Sequence, residues 1–189
     1  MASRDAIALF MTSSNALGNL VQLRSTTEAD LNFVLQAEGH PENAQFVSQW
    51  SRSRHLAAIA SLNEAHYIIE RQIEATPVGF LLISGLKDPN DALELRRLVI
   101  IDKGKGYGRA SLQLAVKLAF ETYRAHRLWL DVFTDNSRAQ HLYASEGFVT
   151  EGTMRDVYKT ANGYKSLVVM SMLRPEYLQA TVQTNTATT

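Results

Sequence analysis

The sequence predicts a mixed α/β fold of the α+β type, with a central sheet of about seven strands flanked by about four helices. Seven short segments rich in β-branched and aromatic residues are interspersed with four segments whose apolar residues recur at helical spacing. Segments that pair as hairpins flank one strand–helix–strand unit. We therefore expect parallel and antiparallel pairing in the same sheet.

The elements follow in the order β-α-α-β-β-β-α-β-α-β-β. The first strand is LVQLRS, and threonine and acidic residues open the helix TTEADLNFVLQAE. A break at GHPENAQFVSQW precedes a second helix, SRSRHLAAIASLN. Turns at EATP and DPND separate the strands AHYIIERQI, PVGFLLISGL and ALELRRLVII. A glycine loop, a helix from about Arg109 to Arg124, the strand HRLWLDVF and the helix DNSRAQHLYASEG follow. The hairpin FVTEGTMRDVYKT–ANG–YKSLVVMSML ends the pattern.

Length and composition indicate one domain in a chain of 189 residues. We expect this domain to span residues 19–175, between flexible segments at 1–18 and 176–189. The 19 basic and 19 acidic residues cancel, which gives no reason to expect nucleic acid or a membrane as partner. The chain has no cysteine, which excludes disulfides and thiolate sites and fits a cytoplasmic location. No two of the five histidines have metal-site spacing, so we expect no metal.

Three glycines, Gly104, Gly106 and Gly108, stand between a strand and a helix. Glycine permits positive φ and close backbone approach, and N–H groups at a helix N-terminus bind phosphate oxygens. The loop therefore predicts a phosphate site, although a plain tight turn has the same pattern. A dinucleotide site is a further alternative: Asp131 lies about 20 residues on, where such sites place a ribose-binding carboxylate. The third glycine of that fingerprint is missing in either frame.

A second motif lies in DNSRAQHLYASEGF. Its pattern is N-x-x-A-x-x-L-Y-x-x-x-G-F, formed by Asn136, Ala139, Leu142, Tyr143, Gly147 and Phe148. Together with KGKGYGR at Lys103–Arg109, this motif resembles the GNAT superfamily of acetyl-coenzyme A-dependent N-acetyltransferases. The end of the chain is similar to the RimJ/RimL-type branch, which acetylates protein N-termini and small amines. The resemblance spans about Leu20 to Leu173, and Lys103 departs from the glutamine or arginine that is usual there.

The resemblance implies that acetyl-coenzyme A is the cofactor. The glycine loop would bind the pyrophosphate, the fourth strand would pair with the pantetheine arm, and Asn136 would bond to that arm. The residues expected to bind the cofactor are Leu98, Val99, Ile100, Ile101, Lys103, Gly104, Lys105, Gly106, Tyr107, Gly108, Arg109, Asn136 and Arg138. Asn136 is also a good helix cap on its own account, and surface arginines commonly serve solubility.

Acetyl transfer to an amine needs a base for the amine and an acid for the departing thiolate. The resemblance assigns the acid to Tyr143, which could instead be a core residue. It assigns the base to Glu94 on the fourth strand, which could instead form an ion pair with Arg96. Simple alternation places Leu93, Leu95, Arg97 and Val99 on one face of that strand and Glu94, Arg96 and Leu98 on the other.

The resemblance places the acceptor pocket between about Glu38 and Ser53 and the hairpin after Phe148. Candidate contacts are Glu38, Trp50, Arg155 and Tyr158, of which Trp50 could equally be core. The acceptor is then a protein N-terminus or a small-molecule amine, attacked directly and without a covalent enzyme intermediate. An NAD(P)-binding oxidoreductase using Gly104–Gly108 and Asp131, or a non-catalytic acyl-coenzyme A-binding module, are the alternatives. A homodimer formed through an edge strand such as the last hairpin is also expected.

Overall fold

The computed structural model describes residues 20–186, so the expected flexible segment 1–18 lies outside the described residues. The strands are β1 (Val21–Ser25), β2 (Glu64–Arg71), β3 (Pro77–Ser84), β4 (Ala92–Ile100), β5 (Arg127–Phe133), β6 (Val149–Thr160) and β7 (Gly163–Leu173). The helices are α1 (Leu31–Gly39), α2 (Pro41–Ala44), α3 (Arg52–Ala60), α4 (Tyr107–Lys117), α5 (Ser137–Ser145) and α6 (Arg174–Thr186). A 3-10 turn (Glu28–Asp30) precedes α1, and a π-helical turn (Leu118–Thr122) ends α4.

The seven strands form one mixed sheet in the order β1-β2-β3-β4-β5-β7-β6, which confirms the predicted fold class. The β4–β5 pair is parallel, and the other five pairs are antiparallel. A dinucleotide-binding fold needs a mostly parallel, doubly wound sheet. The sheet therefore gives no support to the oxidoreductase alternative.

Two helices exceed the predicted number. The four-residue helix α2 starts at Pro41, a residue suited to a first helical turn, within the stretch predicted as a break. Helix α6 covers much of the predicted flexible tail. Arg174 donates to the Phe120 carbonyl over 2.9 Å, and Tyr177 stacks on Phe120 with ring centroids 5.0 Å apart. These contacts depend on tertiary structure, so the polar composition of the tail does not reveal them.

The core lies on both faces of the sheet. On one face, α4 and α5 cover a large apolar cluster that includes Ile69, Leu81 and Leu112. On the other face, α1 packs a smaller cluster against Phe80 and Val99. Among residues 20–186, no helix combines the length and apolar character needed to cross a bilayer.

Strand β4 contains a β-bulge at Arg96. Leu95 pairs with Ile83 and Arg97 pairs with Leu82, so Arg96 is the extra residue. Because a bulge advances the strand by one residue, the facing of all later side chains is reversed. Val99 therefore packs beside α1, whereas Ile100 packs in the large cluster with Leu93 and Leu95. The predicted simple alternation along this strand is wrong beyond Leu95.

Strands β4 and β5 separate soon after they meet. Their pairing covers only three positions, Ala92–Glu94 against Arg127–Trp129. Beyond Glu94, the β5-facing edge of β4 has no strand partner among residues 20–186. This separation opens the sheet at its centre.

Candidate active site

A cleft of about 850 Å³ fills the opening between β4 and β5. Its walls come from β4, the glycine loop, β5, α5, the segment between α1 and α3, and the hairpin β6–β7. Glu94 stands where the two strands part, and the glycine loop lies beyond the other end of β4. Glu94 and the glycine loop thus lie toward opposite ends of β4, and they bring different chemistry to the cleft.

The glycine loop forms the end of the cleft at α4. Gly104 and Gly106 have φ of 83°, in the left-handed region that favours glycine. The first helical hydrogen bond of α4 runs from Ala110 N–H to the Gly106 carbonyl, so Gly108 and Arg109 keep N–H groups without a helical partner. Such N–H groups at a helix N-terminus suit phosphate oxygens.

Nine of the predicted cofactor-binding residues line the cleft. They are Leu98, Ile100, Lys103, Gly104, Gly106, Gly108, Arg109, Asn136 and Arg138. The other four do not line it. Val99 and Ile101 pack on the α1 side because of the bulge, Tyr107 is a buried core residue, and Lys105 pairs with Asp102 at 2.8 Å. At these positions, only the backbone remains a candidate for cofactor contact.

The basic side chains at this end differ in whether they already have hydrogen-bond or ion-pair partners. Lys103 donates to the Glu42 carbonyl over 3.0 Å, and Arg109 forms an ion pair with Glu146. Arg138 lines the cleft with no hydrogen bond or ion pair to any residue in the described range. Arg138 is therefore the cation most available to an anionic ligand.

The Asn136 side chain caps α5. Its Oδ1 accepts a hydrogen bond from Ala139 N–H at 3.2 Å, as the helix-cap alternative predicts. The cap uses only the oxygen, so the Nδ2 donors remain for a ligand in the cleft. Both expected roles are compatible with this geometry.

Glu94 lines the cleft where β4 and β5 part, with 16% of its side chain exposed. Its Oε2 accepts hydrogen bonds from Ser84 Oγ and Arg96 Nη1, each at 2.8 Å. The ion pair with Arg96 that the sequence left open is therefore present. Glu94 and Arg96 both line the cleft, so this ion pair leaves Glu94 accessible to a ligand that binds there.

Asp131 is a second carboxylate at this end, which the sequence analysis considered only as a ribose ligand. It lies two residues beyond Trp129, the last β5 residue paired with β4, and lines the cleft. Its side chain has no hydrogen bond or ion pair among residues 20–186. Partial burial, and then the nearby Glu94 carboxylate, raise the pKa of Asp131, whereas Arg96 lowers it. The signal in the sequence was an acidic residue within the apolar strand LWLDVF, just before the Asn136–Phe148 motif.

Tyr143 on α5 also lines the cleft. Its ring packs against the large core cluster, with its centroid 6.0 Å from that of Phe148. Burial, helped by the negative charge of Asp131, raises the pKa of Tyr143 to about 12. The phenol therefore stays protonated at neutral pH and can donate a proton or a hydrogen bond.

Two of the four predicted acceptor contacts, Trp50 and Tyr158, line the cleft. Glu38 does not, because it is 1% exposed and forms an ion pair with Arg97 at 3.0 Å. Arg155 is exposed on β6, away from the cleft walls. The guanidinium carbons of Arg54 and Arg97 lie 3.9 and 4.1 Å from the Trp50 ring centroid. Two cations thus already occupy the ring that was expected to receive a cationic amine.

Comparison with known proteins yields one family and a set of related enzymes. Residues 31–148 match the acetyltransferase (GNAT) family. Spermidine N(1)-acetyltransferase of Vibrio cholerae is 32% identical over 76 residues, which cover 40% of this chain and 44% of that protein, less than half its length. Spermidine N(1)-acetyltransferase of Escherichia coli (strain K12) is 21% identical over 169 residues, covering 84% of this chain and 88% of that protein.

Solved structures of low sequence identity share the fold. Spermidine N-acetyltransferase from Vibrio cholerae in complex with CoA and spermine gives a TM-score of 0.75 at 22% identity, covering 84% of this chain and 98% of that one. The dodecameric structure of the same enzyme in an intermediate state gives 0.72 at 22% identity, covering 84% and 96%. These likenesses show a shared overall fold.

Proposed function

The chain belongs to the GNAT family of acetyl-coenzyme A-dependent N-acetyltransferases, and we propose that its acceptor is a primary amine of a small cationic molecule of the polyamine class. Two relatives are spermidine N(1)-acetyltransferases, one matching over 84% of this chain and the other over 40%. The comparisons do not point specifically to the RimJ/RimL-type branch that the sequence predicted, so a protein N-terminus is kept only as the alternative acceptor.

The cleft suits coenzyme A along its whole length. The N-terminus of α4 offers N–H groups to the pyrophosphate, and Arg138 offers an unengaged cation. The unpaired edge of β4 from Leu95 to Ile100 offers backbone groups to the amides of the pantetheine arm. When bound, the cofactor supplies the acetyl group as a thioester.

The observation that carries the proposed chemistry is the meeting of two carboxylates and a protonated phenol where β4 and β5 part. Asp131 and Glu94 are placed to take the proton of an incoming ammonium group, since a neutral amine is the nucleophile. Tyr143 holds a proton that it can give to the departing sulfur. Backbone N–H groups near Val99 and Ile100 would polarise the thioester carbonyl.

The charges around the acceptor end favour a cationic amine. Arg96 pairs with Glu94, Arg97 pairs with Glu38, and Arg54 pairs with Glu64. Each arginine near Trp50 is therefore neutralised by a carboxylate. Asp131 has no ion-pair partner among residues 20–186, so its carboxylate is available to an ammonium group in the cleft.

The test is an acceptor screen with purified protein and acetyl-coenzyme A, in which released thiol is measured. We expect turnover with spermidine and spermine, and little with peptides that carry a free N-terminus. Calorimetric titration with acetyl-coenzyme A, with NAD and NADP as controls, establishes the cofactor independently. Turnover confined to peptides would overturn the polyamine assignment. A rate of thiol release that is the same with and without an amine would overturn the acceptor class.

A further inference from the structure

We propose that Glu38 and Arg97 are positioning residues that fix one wall of the cleft and thereby set the affinity for the amine. This wall, the acceptor wall, consists of residues 45–50, between α2 and α3. The proposal rests on the proposed function for its kinetic test. It goes beyond that function because neither residue is required to touch a reacting atom.

The acceptor wall has little backbone structure of its own. Its first residues follow α2 through hydrogen bonds from Phe46 and Val47 N–H to the Asn43 carbonyl. From Ser48 to Trp50, the wall is neither helix nor strand. Five of its six residues, all but Gln49, line the cleft. The position of this segment therefore depends on side chains from elsewhere.

Glu38 and Arg97 supply these side chains. Arg97 Nη1 donates to the Ser48 carbonyl at 2.8 Å, and its Nη2 donates to Ser48 Oγ at 3.1 Å. Glu38 Oε2 accepts from Trp50 N–H at 3.0 Å. Arg97 Nη1 lies 3.0 Å from Glu38 Oε1. The paired side chains therefore hold the wall by hydrogen bonds from both α1 and β4.

Arg97 also ties the wall to the reacting end of the cleft. It follows the bulge at Arg96, so its side chain lies on the α1 side, and its guanidinium stacks on Trp50. Arg97 shares this short stretch of β4 with Glu94, which lines the cleft where β4 and β5 part. Displacement of Arg97 would therefore move Ser48 and Trp50 relative to the reaction centre.

Behind the pair lies a buried row of polar groups that holds Glu38 in place. His55 Nε2 is 3.3 Å from Glu38 Oε2, and His55 Nδ1 is 3.1 Å from His66 Nε2. His66 Nδ1 is 2.8 Å from Thr26 Oγ1. Burial, and then the proximity of His55, lower the pKa of His66 to about 3, so it is neutral. If Thr26 donates to His66 and His66 donates to His55, the proton of His55 is on Nε2, beside the Glu38 carboxylate but not well aligned with it.

These buried polar groups fix the position of the acceptor wall more than they stabilise the fold. Glu38, His55 and Arg97 are each at most 6% exposed. Burying such charges costs desolvation that their attraction repays only in part, so a buried ion pair is weak evidence for stability. Glu38 Oε1, His55 Nε2 and Arg97 Nε also lack well-aligned hydrogen bonds. The grip on Ser48 and Trp50 is the local feature that accounts for the pair.

The test is steady-state kinetics of the double variant Glu38→Gln/Arg97→Met, which removes both charges and leaves no buried unpaired ion. The single variant Arg97→Lys keeps the charge but loses the two-pronged contact with Ser48. The matched control is Arg24→Gln, since Arg24 also contacts two carboxylates, Asp30 and Glu70, but no residue of the wall. Thermal melting checks that every variant folds.

We expect the double variant to raise the KM for the amine about tenfold, with kcat and the KM for acetyl-coenzyme A within about twofold. Arg97→Lys should give an intermediate KM, and Arg24→Gln should leave all three constants unchanged. An unchanged amine KM in a folded double variant, or equal losses in the control, would overturn the proposal.

A second readout does not need the proposed acceptor. Trp50 and Trp129 are the only tryptophans in the sequence, so Trp129→Phe leaves Trp50 as the single reporter in the wall. In that background, the double variant should shift the Trp50 emission to longer wavelength and lower its anisotropy, whereas Arg24→Gln should not. Unchanged Trp50 emission would contradict the positioning role of Glu38 and Arg97, whether or not any amine is acetylated. A shifted emission without acetyl transfer would contradict only the proposed function.

Discussion

At the scale of single residues, Tyr143 shows how burial can prepare a side chain for proton donation. A tyrosine with a pKa raised to about 12 keeps its proton at the pH at which an amine is acetylated. In the sequence, Tyr143 was identified through the resemblance of the Asn136–Phe148 motif to GNAT enzymes. The sequence did not reveal that Asp131 is near enough to affect its titration, because that proximity arises from the parting of β4 and β5.

The first prediction concerns this phenol. Tyr143→Phe should lower kcat about 10²–10³-fold, because the departing sulfur loses its proton donor. The KM for acetyl-coenzyme A should change little, since the ring still packs on the core. The matched control is Tyr164→Phe, which removes an exposed hydroxyl on β7. Equal kcat values for Tyr143→Phe and the wild type would remove Tyr143 from the mechanism.

The second prediction concerns Asp131 and separates activity from stability. A carboxyl whose pKa is raised on folding favours the fold when protonated, so its effect disfavours the fold as the pH rises above its unfolded value. Asp131→Asn should therefore raise the melting temperature at pH 7.5, by an amount that shrinks as the pH falls toward 4. The same variant should lower kcat/KM for the amine.

The control for this substitution is Asp88→Asn, which lies in the turn between β3 and β4. It should change neither quantity. A lower melting temperature of Asp131→Asn at pH 7.5 would show that the carboxylate is stabilised by a partner. Unchanged kcat/KM would leave Glu94 as the base.

At the scale of elements, the glycine loop depends on conformation more than on side chains. Gly104 and Gly106 share a φ of 83°, but a Cβ at Gly104 would meet nothing within 4 Å, whereas one at Gly106 would lie 3.2 Å from Leu20. The sequence predicted the loop and its place before a helix. It could not distinguish Gly104, Gly106 and Gly108, since their backbone angles depend on how the loop joins α4.

The third prediction follows from this difference. Gly104→Ala and Gly106→Ala should each cost about 1 kcal/mol in free energy of unfolding, because alanine resists positive φ, and Gly106→Ala should cost more. Both should weaken the binding of acetyl-coenzyme A. Gly152→Ala on β6, where φ is not positive and a Cβ has free space, is the control. Calorimetric affinity and thermal melting measure the two effects, and full affinity in both loop variants would argue against phosphate binding there.

Strand β4 shows why a periodic pattern predicts an element better than the facing of its side chains. The strand itself was predicted from LELRRLVII, but the extra residue at Arg96 reversed the facing from Arg97 onward. The mark of the bulge in the sequence is the adjacent pair Arg96 and Arg97, which interrupts the alternation and which the prediction of simple alternation overlooked. The position of Glu38 shows a similar limit. The sequence places this carboxylate near the expected pocket, but it is buried on α1 beside Arg97 of β4 and does not line the cleft.

At the scale of the whole molecule, the cleft divides the sheet into two parts that meet over three residue pairs. The fourth prediction is that acetyl-coenzyme A stabilises the fold, because a ligand in the cleft contacts both parts. At 100 times its dissociation constant, the gain is about 2.7 kcal/mol in free energy of unfolding. Thermal melting with acetyl-coenzyme A, and with NAD at the same concentration, measures it. A shift with NAD alone would contradict the cofactor assignment.

The assembly of the molecule is a separate question at this scale. The homodimer expected from an edge strand stays a prediction, and light scattering would test it against a chain mass of 21.1 kDa. Strand β6 is that edge, and its pairing with β7 has two register shifts. Bulges twist an edge and discourage strand-to-strand addition. The register shifts in β6 therefore weigh against the predicted edge-strand contact, and a dimer that uses side chains instead is the alternative.

The short contact between β4 and β5 has one further consequence, for backbone protection. If the pantetheine arm lies against β4, the ligand acts as a missing strand, and each turnover completes and then opens the sheet. Amide hydrogens of Leu95–Ile100 that point toward β5 would exchange quickly with solvent in the free protein and slowly in the complex. Hydrogen exchange along a single strand would thus record how long the cofactor stays in place.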